Sequence, residues 1–310
     1  MKLATYKDGS RDGQLLVVSR GLSTAHYATG IADRLQQVLD DWNFLSPQLQ
    51  DLYDTLNQGK ARHAFPFEPR LCMAPLPRAY QWANGARYRQ HEAPLLQQGA
   101  SDDFLGPCDD VVCATAALGI DFEAALAVIT GDVWQGASAG QALDGIRLVM
   151  LANAVTLREL VPAEQARGAG LLQSKPATAF SPVAVTLDEL GSAWDQGRLH
   201  LTLQSTWNGR RVGLCEAGPD MKFHFGQLIA HLCQTRNLRA GAVIGSGAVI
   251  NQDARHGYSC IADKRALEIL QDGAPTTGYM KFGDTIHIEM NGRDGQSVFG
   301  AIEQTIATPA

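Results

Sequence analysis

The sequence predicts an α+β protein in which strands outnumber helices, with a small α+β module leading into a larger β-rich domain. Three observations carry this. Short runs rich in β-branched and aromatic residues recur between Gly, Asn and Asp. Helical periods are confined to a few stretches, without the βαβ alternation a doubly wound sheet needs. Pro66, Pro69, Pro75 and Pro77 crowd one short span, where regular structure must stop. That span sets the expected boundary, with residues 1–72 as the N-terminal module and 73–310 as the larger domain.

In chain order, Leu3 to Tyr6 and Gln14 to Val18 flank the turn-rich Asp8-Gly9-Ser10-Arg11-Asp12-Gly13 and read as a hairpin. From Thr29 the period turns helical, with Ile31, Leu35, Val38, Leu39 and Trp42 on one stripe. A second helix is expected from Pro47 to Leu56. Beyond the prolines, Val183–Val185, Leu199–Thr206, Ala242–Ile244, Thr285–Met290 and Ser297–Ile302 read as strands. Trp207-Asn208-Gly209-Arg210 is a hairpin turn, and Asn291-Gly292-Arg293-Asp294-Gly295 another. Ala139–Ala152 begins helical before a strand. Phe225–Thr235 and Lys264–Gln271 are the remaining helices.

The central stretch is Ile120–Gly131, which reads as one buried strand ending at a glycine. Alternation puts Asp121, Glu123 and Ala125 on one face, and Phe122, Ala124 and Leu126 on the other. A carboxylate there is costly to bury unless a metal, a cation or several donors meet it. Glu123 is therefore half of an ion pair or part of a site.

Composition narrows the classes. An apolar share of 45% allows a sizeable core. A net charge of −6 argues against a nucleic-acid surface. No apolar run reaches the roughly 20 residues that span a bilayer, so no membrane partner is expected. The N-terminus meets charge at Lys2, Lys7 and Asp8, too early for a signal peptide, and the cytoplasm is the expected location. Six scattered cysteines lack zinc-site spacing and read as free thiols. Asp102-Asp103 and Asp109-Asp110 sit in loops and read as solvated turns. His26, His63, His200, His224, His231, His256 and His287 read as ordinary hydrogen-bonded residues.

Several stretches coincide with one family. Residues 74–85 (Ala-Pro-Leu-Pro-Arg-Ala-Tyr-Gln-Trp-Ala-Asn-Gly), Gln173-Ser174-Lys175-Pro176, Ala179-Phe180-Ser181-Pro182, Gly245-Ser246-Gly247 and Met280-Lys281-Phe282-Gly283-Asp284 resemble bacterial fumarylacetoacetate hydrolase-family proteins. The similarity runs from the first residues, which look like that subgroup's N-terminal domain, almost to the last. It implies a mixed β-roll or β-sandwich of the fumarylacetoacetase C-terminal type and a homodimer. It also implies Mg²⁺-, Mn²⁺- or Ca²⁺-assisted chemistry on 1,3-dicarbonyl or 2-oxo acid substrates. There the metal polarises a carbonyl, and a His held by an acid activates water.

Mapped by resemblance, the His falls on His91 and the acid that orients it on Asp263, shorter than the family's Glu. Lys175 keeps the family's substrate-side cation. Tyr88, Arg158, Lys175, Ser246 and Gly247 fall on the substrate side. Of the four carboxylate ligands only Glu123 remains, because Asn84, Ala125 and Ala154 stand at the other three positions. Ala248 replaces a substrate-binding Thr, and the lid after His91 is short. One Glu and an amide fall well below the six or more oxygens a hard cation collects. No tightly bound metal is expected, and weak Mg²⁺ or Mn²⁺ binding at most. Lys175 is the expected counter-charge of Glu123.

Three readings stay open. One is an enzyme that uses His91, Asp263 and Lys175 without a tight metal on an oxo-acid or polyketide-like compound, by cleavage, decarboxylation, isomerisation or cyclisation. Another is a non-catalytic binding or assembly partner. The third is a metal hydrolase whose ligands have been substituted.

Overall fold

A computed structural model describes residues 1–85, 88, 94–168 and 170–309. Two large sheets organise them. The larger has eleven strands. From one edge it runs through Phe65–Pro66, Thr24–Tyr27, Gln14–Val18, Lys2–Tyr6 and Ala184–Val185. It continues through Ile146–Asn153, Ala124–Thr130, Ala242–Ala248, Gln81–Gly85 and Leu96–Gly99, with Ala179–Phe180 also paired to Ile146–Asn153. The N-terminal hairpin thus enters the main sheet, with Lys2 opposite Val185. The smaller sheet orders Arg210–Glu216, Thr202–Trp207, Thr285–Met290, Ile302–Ala307 and Val111–Val112.

The central strand is completely buried, and its two faces feed different cores. Leu126 and Val128 pack with Leu203, Ile286 and Ile288 of the smaller sheet. Ala125, Ala127 and Ile129 pack with Leu35, Val38, Leu49 and Tyr53 from the helices Leu35–Asp40 and Trp42–Asn57. A strand covered on both sides reads as a near-continuous apolar run, which is why Ala124–Thr130 carries no polar residue before its last. The α+β class and β-rich sandwich follow.

The central stretch is not one strand. Ile120–Asp121 pairs with Thr156–Leu157, whereas Ala124–Thr130 pairs with Ile146–Asn153. Phe122 and Glu123 lie between, with Glu123 bridged to Cys260. The alternation nevertheless carries across the break, since Phe122 and Ala124 join one core and Ala125 the other.

Other expectations shift at their ends. The first helix starts at Leu35 rather than Thr29, after a turn in which the Ile31 and Ala32 amides donate to the Ala28 carbonyl. The second starts at Trp42 and tolerates Pro47 in its first turns. Leu199–Thr206 divides into Arg198–Leu199 and Thr202–Trp207. The final strand is Ile302–Ala307 rather than Ser297–Ile302, because Ser297 bridges back to Asn291 and Gly300 turns the chain at φ 71°. The Trp207–Arg210 turn is as expected, with Asn208 at φ 49° and Gly209 at φ 74°, the signs a two-residue hairpin needs. The helices Phe225–Leu232 and Ile261–Asp272 overlap the expected ones, and Ala139–Asp144 precedes its strand.

Trp82, Phe104 and Phe180 form an edge-to-face aromatic trio with centroids 4.9–6.4 Å apart. Phe180→Ala should cost about 3–5 kcal/mol in urea unfolding, through lost contact area and a cavity that this packing cannot collapse.

Candidate active site

The break at Phe122–Glu123 concentrates charge. Asp121 is fully buried and Glu123 is 7% exposed. Arg158 joins them, with Nε 2.8 Å from Asp121 Oδ2 and Nη2 2.6 Å from Glu123 Oε1. Lys175 Nζ lies 3.0 Å from Glu123 Oε2, so the expected Lys175–Glu123 pair is formed. The Thr156 hydroxyl donates to Glu123 Oε1 at 2.7 Å. Asp121 also accepts from the backbone amides of Ile261 and Ala262, at 2.6 and 3.0 Å. Two carboxylates and two cations therefore alternate along a chain of four, Asp121–Arg158–Glu123–Lys175.

The protonation states follow. Burial pushes the Glu123 carboxyl up, but Lys175 and Arg158 outweigh it and hold the group below its ordinary value. Burial dominates at Asp121 and lifts it to about 6, against the pull of Arg158. Burial opposes the Arg158 charge, yet its two carboxylates raise its pKa.

The positions that resemblance matched to metal ligands make structural contacts here. Asn84 Oδ1 accepts from the Gly247 amide at 3.0 Å, locking two parallel neighbouring strands. Ala125 lies opposite both Ala152 and Ala248, inside the core that holds the aromatic trio. Ala154 donates its amide to the Glu123 carbonyl at 3.0 Å, and its own carbonyl lies 3.4 Å from Lys175 Nζ. Asn153 Oδ1 accepts from the Glu123 amide at 3.1 Å. A cavity of about 10 Å³ remains between Asn84, Ala154 and Lys175, the size at which a single water fits.

These residues do not fit a divalent cation. Both Glu123 oxygens already face cations, so an incoming ion would meet an ammonium where it needs donors. Among the described residues no group of three or more His, Cys, Asp or Glu could hold a metal.

The other expected site residues fall in different surroundings. His91 lies outside the described residues, and so does any contact it makes. Asp263 sits in the first turn of Ile261–Asp272, where its Oδ2 accepts from Cys260 Sγ at 2.9 Å. Burial, reinforced by Asp263, raises the Cys260 thiol well above its ordinary value, so it is not an activated nucleophile. Tyr88 is buried, with its hydroxyl on the Ala217 carbonyl. Ser246 Oγ accepts from the Leu126 amide at 3.1 Å and donates to the Gly247 carbonyl at 2.7 Å. Gly247 has φ 79°, and a Cβ there would lie 2.4 Å from the Gly85 carbonyl, so only glycine fits. Arg158 and Lys175 meet at Glu123, whereas Tyr88, Ser246 and Gly247 are bound into the scaffold.

Sequence reasoning missed Glu164. Its carboxylate accepts from the amides of Leu172, Gln173 and Ser174, at 2.6–3.2 Å, and from the Ser174 hydroxyl. These bonds fix the loop that presents Lys175. They hold Glu164 at about 2, with the Ser174 hydroxyl contributing most. Thr156 was also missed, and nothing local marks it. For Glu164 the only signal is a glutamate in the first turn of Val161–Arg167 ahead of a Gly-rich loop.

The fold is an α+β protein with a β-rich sandwich and a buried acidic site at a break in its central strand. The model for the fumarylacetoacetate (FAA) hydrolase C-terminal domain matches residues 74–307, and that for fumarylacetoacetase N-terminal domain 2 matches residues 1–78. The chain belongs to the fumarylacetoacetate hydrolase family. No curated protein matches it. Among solved structures it is similar to maleylpyruvate hydrolase from Sphingobium sp. SYK-6 in complex with manganese(II) ion and pyruvate, at 15% identity and TM-score 0.71. It is also similar to a probable 2-hydroxyhepta-2,4-diene-1,7-dioate isomerase from Mycobacterium abscessus, at 20% and 0.68. A third is fumarylacetoacetate hydrolase from Exiguobacterium antarcticum, at 19% and 0.68. Each comparison covers 100% of both chains. At these identities the structures establish the shared fold.

Two predictions follow from the quartet and its loop. Lys175→Met and Glu123→Gln should each cost about 3–5 kcal/mol in urea unfolding, and the double variant less than their sum, because each single change strands a buried charge. Glu164 contributes stability that is full above its unfolded pKa near 4.5 and is lost as pH falls toward about 2. Glu164→Gln should therefore lower the melting temperature at pH 6, with the gap to wild type closing as pH approaches 2.

Proposed function

We propose that this chain is a divergent member of its family that works on a small 2-oxo or 1,3-dicarbonyl acid without a tightly held divalent metal. One observation carries the reading: Lys175 Nζ stands against Glu123 Oε2, Thr156 Oγ1 and the Ala154 carbonyl, an ammonium among oxygens. It neutralises the carboxylate that a divalent ion would otherwise balance. Arg158, 25% exposed at its side chain, keeps an edge toward solvent, where it is placed to hold a substrate carboxylate through a forked pair of hydrogen bonds.

The chemistry this supports is proton transfer next to a carbonyl. A base removes the α-hydrogen, the C–H electron pair moves into the enolate, and the oxygen's negative charge develops beside the Lys175–Arg158 pair. His91, by family resemblance, is the base, with Asp263 as its orienting acid. Isomerisation and cyclisation of oxo acids pass through this enolate. In cleavage and decarboxylation the pair of the breaking C–C bond forms it instead, as water takes the acyl group after the base removes its proton, or as CO₂ departs. The manganese–pyruvate complex of the Sphingobium relative supports an oxo acid as the ligand class. A homodimer and a cytoplasmic location complete the proposal.

A second reading has its own support. The space between Asn84, Ala154 and Lys175 is nearly filled, which favours a non-catalytic binding or assembly partner.

The test is turnover of 2,4-dioxo acids and oxaloacetate by the purified protein, with metal analysis and Mn²⁺ titration alongside. The expected outcome is activity that survives chelator and falls at least 100-fold in both His91→Ala and Lys175→Met. A stoichiometric divalent ion that resists dialysis would overturn metal independence. Turnover indifferent to His91→Ala would remove the proposed base, and no turnover across the screen would favour the non-catalytic reading.

A further inference from the structure

A second concave site lies on the far side of the segment that borders Glu123. It is a groove of about 820 Å³ between the tip of the Thr202–Glu216 hairpin and the helix Ile261–Asp272. That volume is within the range of small-molecule pockets. Arg210, Arg211 and Lys264 line it, and Trp207, Tyr258 and Leu267 supply its apolar walls.

Two features show that positive charge is available at the arginines. Neither the Arg210 nor the Arg211 side chain has an ion-pair or hydrogen-bond partner among the described residues, in a chain whose net charge is −6. The carboxylates nearby are bonded to other groups and none pairs with either arginine. Asp284 accepts from Trp207 Nε1 and Asn208 Nδ2, Asp253 is held by Arg255, and Glu268 accepts from Thr276 and Thr277. Lys264 is ion-paired with Glu268 at 3.4 Å, so the unpaired positive charge of the groove rests on the two arginines.

Local backbone geometry builds the groove. Neighbours in a regular strand face opposite ways, yet Arg210, Arg211 and Val212 all line it. The register shifts between Ser205 and Thr206, which leaves Val212 without a cross-strand partner, and such a bulge twists the strand end and re-aims its side chains. The Val212 carbonyl instead accepts from the Tyr258 amide at 3.1 Å, which draws the 257–260 segment against the hairpin. The other side of that segment meets the site, where the Ser259 carbonyl accepts from the Ala124 amide and Cys260 bridges Glu123.

We propose that this groove binds a small organic dianion with a flat apolar body, its charge held by Arg210, Arg211 and Lys264 and its body against Trp207 and Tyr258. Guanidinium pairs suit both carboxylates and phosphates, and the apolar walls select against an ion with no body. Phosphate monoesters and dicarboxylates share this chemistry. The proposal does not depend on the reaction at Glu123.

Calorimetric titration with phenyl phosphate, terephthalate and inorganic phosphate at low ionic strength tests it. The expected result is saturable one-to-one binding of phenyl phosphate or terephthalate, whichever is tighter naming the source. Binding should weaken at least tenfold in Arg210→Gln/Arg211→Gln and in Lys264→Met, weaken with added salt, and persist in Lys175→Met. Both arginines are exposed, so the double variant should fold, and circular dichroism checks this. Absence of saturable binding, binding unaffected by the arginine changes, or equal binding of inorganic phosphate would overturn the proposal. So would loss of binding in Lys175→Met, which places the ligand at Glu123. A concentration-dependent dimer that the arginine changes dissolve would also overturn it, because a second copy then covers the groove.

Discussion

Two carboxylates two residues apart in a buried segment repel each other and lose their hydration, and the rest of the site answers that constraint. Arg158 spans both, Lys175 closes the second, and the amides at the start of the Ile261–Asp272 helix close the first. The participants come from four separate parts of the chain. The quartet therefore ties the central strand to the Thr156–Arg158 turn, the Lys175 loop and the last long helix. Buried ion pairs are weak evidence of net stability against an apolar alternative. Their effect here is to specify geometry, since Arg158 and Glu123 each hold two partners, while backbone amides fix Asp121 and Thr156 fixes Lys175.

The residues at the positions matched to ligands by resemblance fit the same constraint. With alanine at 125 and 154, the face beside Glu123 becomes continuous with the apolar core of Trp82, Phe104 and Phe180. A carboxylate at 125 or 154 would lie against that core with no cation of its own, since Lys175 and Arg158 are committed to Glu123 and Asp121. Aromatic packing on one side and the charged quartet on the other leave room for about one water. Asn84 fits the same pattern, as its side-chain oxygen serves the Gly247 amide.

Much of the fold was legible because its signals are local. The Asn208-Gly209 turn, the Phe225–Leu232 helix and the Thr285–Met290 strand each follow from a few adjacent residues. The break in Ile120–Gly131 was not legible, because pairing with Thr156–Leu157 and Cys260 imposes it from far along the chain. The same contrast holds at the site. The need of Glu123 for a counter-charge is a property of one residue, and the choice of Lys175 came from family resemblance. That Arg158 serves Asp121 and Glu123 together depends on a crossing of strands no local pattern encodes. Glu164 was missed because its three amide partners lie in a loop whose fold exists only around it.

On the proposed reading, a tethered cation changes what the site can do. A divalent ion offers open coordination positions and exchanges its ligands, so it can chelate both oxygens of a dioxo substrate and polarise one of them. An ammonium carries half the charge and donates hydrogen bonds in directions set by its stem. Lys175 already spends its donors on Glu123, Thr156 and the Ala154 carbonyl. It can lower the energy of an enolate by nearby charge, but it cannot organise a bidentate chelate. The reactions left open are those in which the substrate needs one stabilised negative oxygen and a well-placed base. Selectivity must then come from Arg158 and the shape of the entrance instead of from chelation.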